Sequence, residues 1–198
     1  MSGRPNMYYL IGSNIIIATM LDKKNIFEYS GGQTIVLKNL LQCIEDILNN
    51  QKLNLDEIIT NQTLGEILIT PTEIYSLDCL ALARGMKEEL HAFSHITGGG
   101  LADNTARVIP DGLTARFDRS TWSLPLGMEY LAEVGQVPQA DMERTWNAGI
   151  GMVAIVDSTA GDLALKSLAA RGMKAWVAGV VTNGTGVKAS LEGSYSPR

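Results

Sequence analysis

The sequence predicts a mixed α and β fold: one sheet covered by helices on at least one face. Three observations lead there. Two six-residue stretches, Leu90–His95 and Leu113–Asp118, alternate apolar and polar side chains, as half-buried strands do. Other stretches carry apolar residues at helical spacing, clearest at Leu37, Leu40, Leu41, Ile44, Ile47 and Leu48. The two kinds of segment are intermixed from end to end, and that order is met by layering helices on a sheet.

Taken in order, Met1–Asn6 reads as a loose start and Tyr8–Thr19 as a strand region, since the β-branched run Ile15-Ile16-Ile17 favours a pleat. The apolar run Tyr8–Met20 is broken by Gly12, Ser13 and Asn14 and is shorter than the roughly 20 residues a membrane-spanning helix needs. Arg4 precedes it, but no small-x-small cleavage pattern follows. Ser30-Gly31-Gly32-Gln33-Thr34 opens the helix that runs to Leu48. Leu53–Thr60 reads as a linker. Thr63 and Glu66 have the spacing of a capping box. Pro71 suits a first helical turn, and Ile74, Leu77, Leu80 and Ala81 form the next apolar stripe.

After the strand Leu90–His95, Leu101, Thr105, Val108 and Ile109 recur at helical spacing until Pro110 stops them. Helices are expected over Pro125–Val134 and Pro138–Trp146, and a strand over Ile150–Val156. A helix capped by Asp157 or Ser158 runs to Arg171, with Gly172 as its stop. Ala175–Val181 is the last strand, and 182–198 reads as a flexible polar tail.

Composition narrows the function classes. In 198 residues, 45% are hydrophobic and 19% charged, ordinary values for one well-cored globular domain. A net charge of −5 with no Lys/Arg-rich run argues against nucleic acid as a partner. Cys43 and Cys79 lie in apolar helical patterns and read as reduced core thiols of a cytoplasmic protein. Asp22, Glu28, Asp46, Asp56 and Glu57 are scattered, without a metal-ligand pattern, and no P-loop is present. His91 and His95 fall on one strand roughly 13 Å apart, too far to share a metal.

The chemistry converges on Thr97-Gly98-Gly99-Gly100, between the strand ending at His95 and the following helix. Consecutive glycines allow φ > 0 and close approach of another molecule. A strand–glycine–helix turn also directs N–H groups and a helix dipole at one spot, which suits a phosphate. Thr97, Asn104 and Arg107 supply polar groups around it. Arg107 is within reach of an anion or of Asp103 four residues earlier. His95 suits two uses: donor to a phosphate or amide oxygen, or partner of the loop backbone. Asn147, Gly149 and Gly151 form a second glycine-spaced turn, either a sharp connection or a further wall of the same cleft. Ser30, Gly31 and Gly32 are a third candidate anion turn.

These motifs resemble aminoimidazole ribonucleotide synthetase, the phosphoribosylformylglycinamidine cyclo-ligase of purine biosynthesis, in its C-terminal domain. His95-Ile96-Thr97-Gly98-Gly99-Gly100-Leu101 with Asn104 and Arg107 carries the likeness. Thr63-Leu64-Gly65-Glu66, Leu68, Thr70-Pro71-Thr72 and Ile74-Tyr75 resemble the family's TLGEELLTPTRIY. Arg144–Met152, read as RTWNAGIGM, resembles RTFNxGxGM with Trp146 for the usual Phe. Trp176, Val177, Gly179 and Val180 resemble its closing WxxGxV. The strong match covers 53–181 of a synthetase-like domain over 8–181; 8–52 diverges. Where the family has GLHSNGYSLVRK, Ser30, Gly32, Val36 and Lys38 agree, but Tyr29, Gly31 and Leu37 replace its His, Asn and Arg.

The resemblance implies the α/β fold of the synthetase C-terminal domain and a de novo purine reaction. In it, ATP phosphorylates the formamide oxygen of formylglycinamidine ribonucleotide, and the amidine nitrogen then closes the ring of aminoimidazole ribonucleotide. It implies His95 as donor to the reacting oxygen, and Thr97, Gly98, Gly99 and Gly100 as holders of a phosphate. Asn104 and Arg107 would support the loop or the phosphate, and Asn147, Gly149 and Gly151 would line the cleft floor. ATP and Mg are the implied cofactors, most of their contacts coming from an N-terminal synthetase domain that residues 1–60 do not resemble. The implied partners are a small nucleotide substrate and that domain or a second copy, with no nucleic acid and no membrane. The alternative is a phosphate- or nucleotide-binding assembly domain without catalysis.

Overall fold

The structure, a computed structural model, describes residues 8–9, 49–50, 53–71 and 73–198. Its strands are β1 (Tyr8–Tyr9), β2 (Ile58–Ile59), β3 (Gln62–Thr63), β4 (Leu90–His95), β5 (Leu113–Asp118), β6 (Met152–Asp157), β7 (Gly179–Asn183) and β8 (Ala189–Glu192). Its helices are α1 (Leu64–Leu68), α2 (Ser76–Met86), α3 (Gly100–Ala106), α4 (Leu126–Val134), α5 (Gln139–Thr145) and α6 (Gly161–Ala169). Six strands form one sheet in the order β4-β6-β1-β7-β5-β8, antiparallel throughout except for the parallel β5–β8 pair. β2 and β3 form a separate hairpin.

β6 is buried on both of its faces. The pleat sends successive side chains to opposite sides. Val153 and Ile155 enter a core with Ile96, Leu101, Phe117 and Val181, under α3. Ala154 and Val156 enter another with Leu82, Met86, Ala164 and Leu168, from α2 and α6. A third cluster, built on Leu64, Leu68, Leu131, Met142 and Trp146, joins α1, α4 and α5.

Several local expectations hold. The alternating stretches are strands β4 and β5, with the bounds the pattern indicates. The capping box is present at α1: Thr63 Oγ1 accepts from Glu66 N at 3.1 Å, and the Glu66 carboxylate accepts from Thr63 N at 2.8 Å. Gly172 has φ +81° just beyond α6, where a helix stop needs it.

Others are corrected. Residues 53–60 are not a plain linker, because Ile58–Ile59 pairs with Gln62–Thr63 across a turn in which Thr60 takes φ +62°. Pro71 precedes α2 by five residues and opens no helix. Leading into and along α2, the stripe Ile74, Leu77 and Leu80 faces outward, at 78%, 68% and 45% exposure, while Tyr75, Leu82 and Met86 are buried. Both stripes have helical spacing, and packing against β6 and α6 selects the second. Asp157 does not cap a helix; its carboxylate bonds His91 Nε2 at 3.1 Å, and a 3₁₀ turn precedes α6. The last predicted strand begins at Gly179, four residues late.

The supposed tail 182–198 is built into the fold. β8 adds to the sheet edge, Ala189 is buried, and Tyr195 packs its edge on Trp122 with ring centroids 5.5 Å apart. Its polar composition hid three apolar anchors, Ala189, Leu191 and Tyr195, whose partners lie far away in sequence. Cys79 is a free, half-buried thiol whose pKa is raised by burial and by the neighbouring Asp78. The expectations for Cys43, for the helix over 35–48 and for Ser30, Gly31 and Gly32 lie outside the described residues.

Candidate functional site

β4 runs into the glycine loop, and β6 starts beside it, because the two strands are antiparallel with His95 opposite Met152. The Ile96 N–H donates to the Gly151 carbonyl at 2.8 Å. The loop Thr97–Gly100 and the turn Asn147–Gly151 therefore meet at one end of the sheet.

Asn104 organises the loop from within. Buried at 4% exposure, its Nδ2 donates to the carbonyls of Gly100 (2.8 Å), Thr97 (3.2 Å) and Gly98 (3.3 Å), and its Oδ1 lies 3.5 Å from Thr97 Oγ1. A trans peptide holds its C=O and the following N–H on opposite sides. With the Thr97 and Gly98 carbonyls drawn inward to Asn104, the Gly98 and Gly99 N–H groups point the other way. Neither amide has an acceptor among the described residues. The Gly100 N–H differs: it donates to the Thr97 carbonyl at 3.2 Å, so two of the three glycine amides are available, not three.

Positive φ values of 102° at Gly99 and 73° at Gly100 make glycine necessary there. At Gly100 space also forbids a side chain, because a Cβ would lie 1.7 Å from the Glu143 carbonyl oxygen. A Cβ built at Gly99 would be 3.9 Å from Arg107 Nη2, which places the guanidinium beside the loop. Arg107 is exposed, caps the C-terminus of α3 and makes no ion pair among the described residues, with Asp103 or any other acid. The helix has only seven residues, so its dipole adds little; the Gly98 and Gly99 amides and this guanidinium are the donors left without an acceptor among the described residues. His95 is exposed at the end of β4, its ring edge-on to Tyr75 with centroids 6.3 Å apart.

The second turn takes up the Gly149 and Ile150 amides internally. Asn147, Gly149 and Gly151 are buried. Asn147 Oδ1 accepts from the Gly149 N–H at 3.1 Å, and the Asn147 carbonyl accepts from Ile150 N at 3.0 Å. Ala148 takes φ +54° and its carbonyl accepts from Trp122 Nε1 at 2.8 Å. The far side of Gly149 faces a cleft of about 910 Å³ walled by Trp122, Pro125, Lys174 and Trp176. His95, Thr97, Gly98, Gly99, Gly100 and Arg107 do not line that cleft.

Sequence reasoning missed one cluster altogether. Arg119 forks onto Glu143, Nε to Oε1 at 2.8 Å and Nη2 to Oε2 at 2.9 Å, and Tyr195 OH donates to Oε1 at 2.9 Å. Desolvation pushes the Glu143 carboxyl up, but hydrogen bonds from Arg119, Gln139 and Tyr195 outweigh it and leave the pKa below the ordinary carboxylate range. Burial, and then the Glu143 charge, push the Tyr195 phenol well above its usual value. The one local hint was Gln139 and Glu143 at i, i+4. No group of three or more His, Cys, Asp or Glu among the described residues could hold a metal ion. No helix among them is long and apolar enough to cross a membrane.

The family described as AIR synthase related protein, C-terminal domain, matches residues 41–192. The chain is 53% identical over 122 residues, 62% of its length, to a putative phosphoribosylformylglycinamidine cyclo-ligase of Streptomyces fradiae. It is 44% identical over 121 residues (61% of the chain) to the phosphoribosylformylglycinamidine cyclo-ligase of Sorangium cellulosum, and 35% identical over 158 residues (79%) to that of Pseudothermotoga lettingae. These alignments span 66%, 35% and 43% of the relatives' own length. Among solved structures, a thiamine-monophosphate kinase from Stenotrophomonas maltophilia superposes with a TM-score of 0.51 at 14% identity, over 97% of this chain and 51% of the kinase, a likeness of fold alone. The match over most of the chain, with the glycine loop and the Asn147 turn inside it, means that this protein belongs to the AIR synthase related family through its C-terminal domain.

Proposed function

We propose that this chain supplies the phosphate-loop half of a purine cyclo-ligase, for the ATP-dependent closure of formylglycinamidine ribonucleotide to aminoimidazole ribonucleotide. The observation that carries the reading is the pair of outward-facing amides at Gly98 and Gly99 beside the Arg107 guanidinium. Two N–H donors and one planar cation around a glycine surface form a receptor for a phosphate group. In this reading Asn104 keeps the carbonyls turned inward, so that an anion meets donors and not acceptors. Thr97 adds a hydroxyl at the rim, and Gly100 provides the tight turn. The exposed His95 lies two residues before Thr97, placed to donate to the formamide oxygen or orient the amide.

The Asn147–Gly151 turn is the buttress behind the loop, and Gly149 presents backbone to the adjoining cleft. The chemistry needs positioning and charge stabilisation more than a nucleophile from the protein. The described residues offer no acidic cluster fit for Mg, so no metal-dependent step is assigned to them. ATP and Mg contacts belong, in this proposal, to an N-terminal synthetase domain acting with this chain. The second reading is a phosphate-binding assembly domain without turnover, favoured by Tyr29, Gly31 and Leu37 standing where the family has His, Asn and Arg.

The test is ATP hydrolysis with formylglycinamidine ribonucleotide, with and without a separately supplied N-terminal domain. Turnover on mixing, lost in His95→Ala or Arg107→Ala, supports the cyclo-ligase reading. No turnover in either arm supports the assembly domain. Unchanged kcat/KM in both variants removes the assigned roles.

A further inference from the structure

We propose that Glu143 is a positioning residue for the glycine loop, and that Tyr195 of the C-terminal segment holds Glu143 in place. The inference rests on the phosphate-loop reading above and names a control on that site from outside it. Gly100 lies so close to the last turn of α5 that a Cβ there would be 1.7 Å from the Glu143 carbonyl oxygen, 2.8 Å from its carbonyl carbon and 3.3 Å from Arg144 Cα. The main chain of Glu143 is thus the wall that sets where the loop ends. Whatever moves this part of α5 moves Gly100, and with it the Thr97–Gly99 peptides that Asn104 gathers.

The side chain of the same residue fixes that wall. Only 12% exposed, its carboxylate takes the Arg119 fork at 2.8 and 2.9 Å, Gln139 Nε2 at 2.8 Å and Tyr195 OH at 2.9 Å. These donors come from three places: the end of β5, α5 itself and the C-terminal segment. Arg119 also donates to the Gly193 carbonyl at 3.0 Å and lies 5.8 Å from the Tyr195 ring centroid. Tyr195 is in turn seated edge-on against Trp122. A nearly buried ion pair is a weak source of stability, because desolvation offsets most of the attraction. Its fork geometry is directional, however, and it sets the rotation of α5 as an apolar contact would not.

The experiment uses the full 198-residue chain and inorganic phosphate as probe, with amide spectra of Gly98, Gly99 and Gly100. Tyr195→Phe keeps the ring on Trp122 and removes one hydrogen bond. It is expected to shift the glycine amide resonances without ligand and weaken phosphate binding about fivefold. Glu143→Gln loses the charged fork and is expected to weaken it by more, about tenfold. Leu168→Ala, in the core between α2 and α6, lowers stability from a distance and is expected to leave the glycine amides and the phosphate affinity unchanged.

Glycine resonances unmoved in Tyr195→Phe, or moved as much by Leu168→Ala, overturn the proposal. If Glu143→Gln does not fold, Tyr195→Phe decides alone. If phosphate fails to bind the unaltered chain, the phosphate reading falls, and the unliganded glycine shifts still decide whether Glu143 sets the loop.

Discussion

The loop Thr97–Gly100 and the turn Asn147–Gly151 lie side by side, linked by the Ile96 to Gly151 hydrogen bond, and each pairs glycines with a buried asparagine. The asparagines act in opposite senses. Asn104 is a donor: it draws in carbonyls and so turns the Gly98 and Gly99 amides outward. Asn147 is an acceptor: it takes up the Gly149 amide itself. Its own Nδ2 is buried without a partner. One turn leaves its Gly98 and Gly99 amides unmet beside a cation, and in the other the glycine amide of Gly149 is taken up internally, with Pro125 against that glycine. Glycine spacing alone does not decide which amides a turn leaves unmet; the side of the peptide that the neighbouring amide side chain engages does.

The sharpest way to break this contrast is Gly100→Ala. With φ +73° and the Glu143 carbonyl in the way, it is expected to lower stability by at least about 3 kcal/mol in urea unfolding. Asn104→Ala removes the side-chain donor from three loop carbonyls, of which that of Thr97 keeps the Gly100 N–H. A loss of about 2–3 kcal/mol is expected, together with weaker phosphate binding by calorimetry as those carbonyls turn out. Gly149→Ala places a Cβ 2.8 Å from the Pro125 ring at φ +89° and is expected to cost about 1–3 kcal/mol. Its phosphate affinity should stay that of the parent chain; a drop matching that of Asn104→Ala would erase the distinction between the turns.

Arg107→Ala tests the other half. Stability is expected to change by no more than about 0.5 kcal/mol, since the side chain is exposed, while phosphate affinity falls about tenfold at low salt. The smallest effect concerns pH. The Glu143 pKa is lowered in the folded state, so its contribution is present above the ordinary carboxylate range and lost as pH falls through its folded value. Thermal unfolding of Glu143→Gln should therefore depend less steeply on acid than that of the parent chain; an identical slope would discount the cluster.

How much of this was legible beforehand varies by residue. The strands β4 and β5 were, because alternation is a property of neighbours. The Thr63–Glu66 cap was, because both partners lie within one turn. The glycine loop was visible as a loop, but nothing local distinguishes the donor role of Asn104 from the acceptor role of Asn147. On α2 two apolar stripes compete, and the choice of Leu82 and Met86 over Leu77 and Leu80 belongs to the partner surface. The C-terminal stretch was misread because Tyr195 meets Glu143 across 52 positions of chain.

By itself the sequence determined the mixed class, the strand and cap signals, and the place of the glycine turn, since each depends on side chains a few residues apart. Only the tertiary structure decided which glycine amides remain available, which face of α2 is covered and what holds α5 against the loop. Hydrogen bonds and packing between segments distant in the chain set those outcomes, and their geometry exists only once the sheet has brought the segments together.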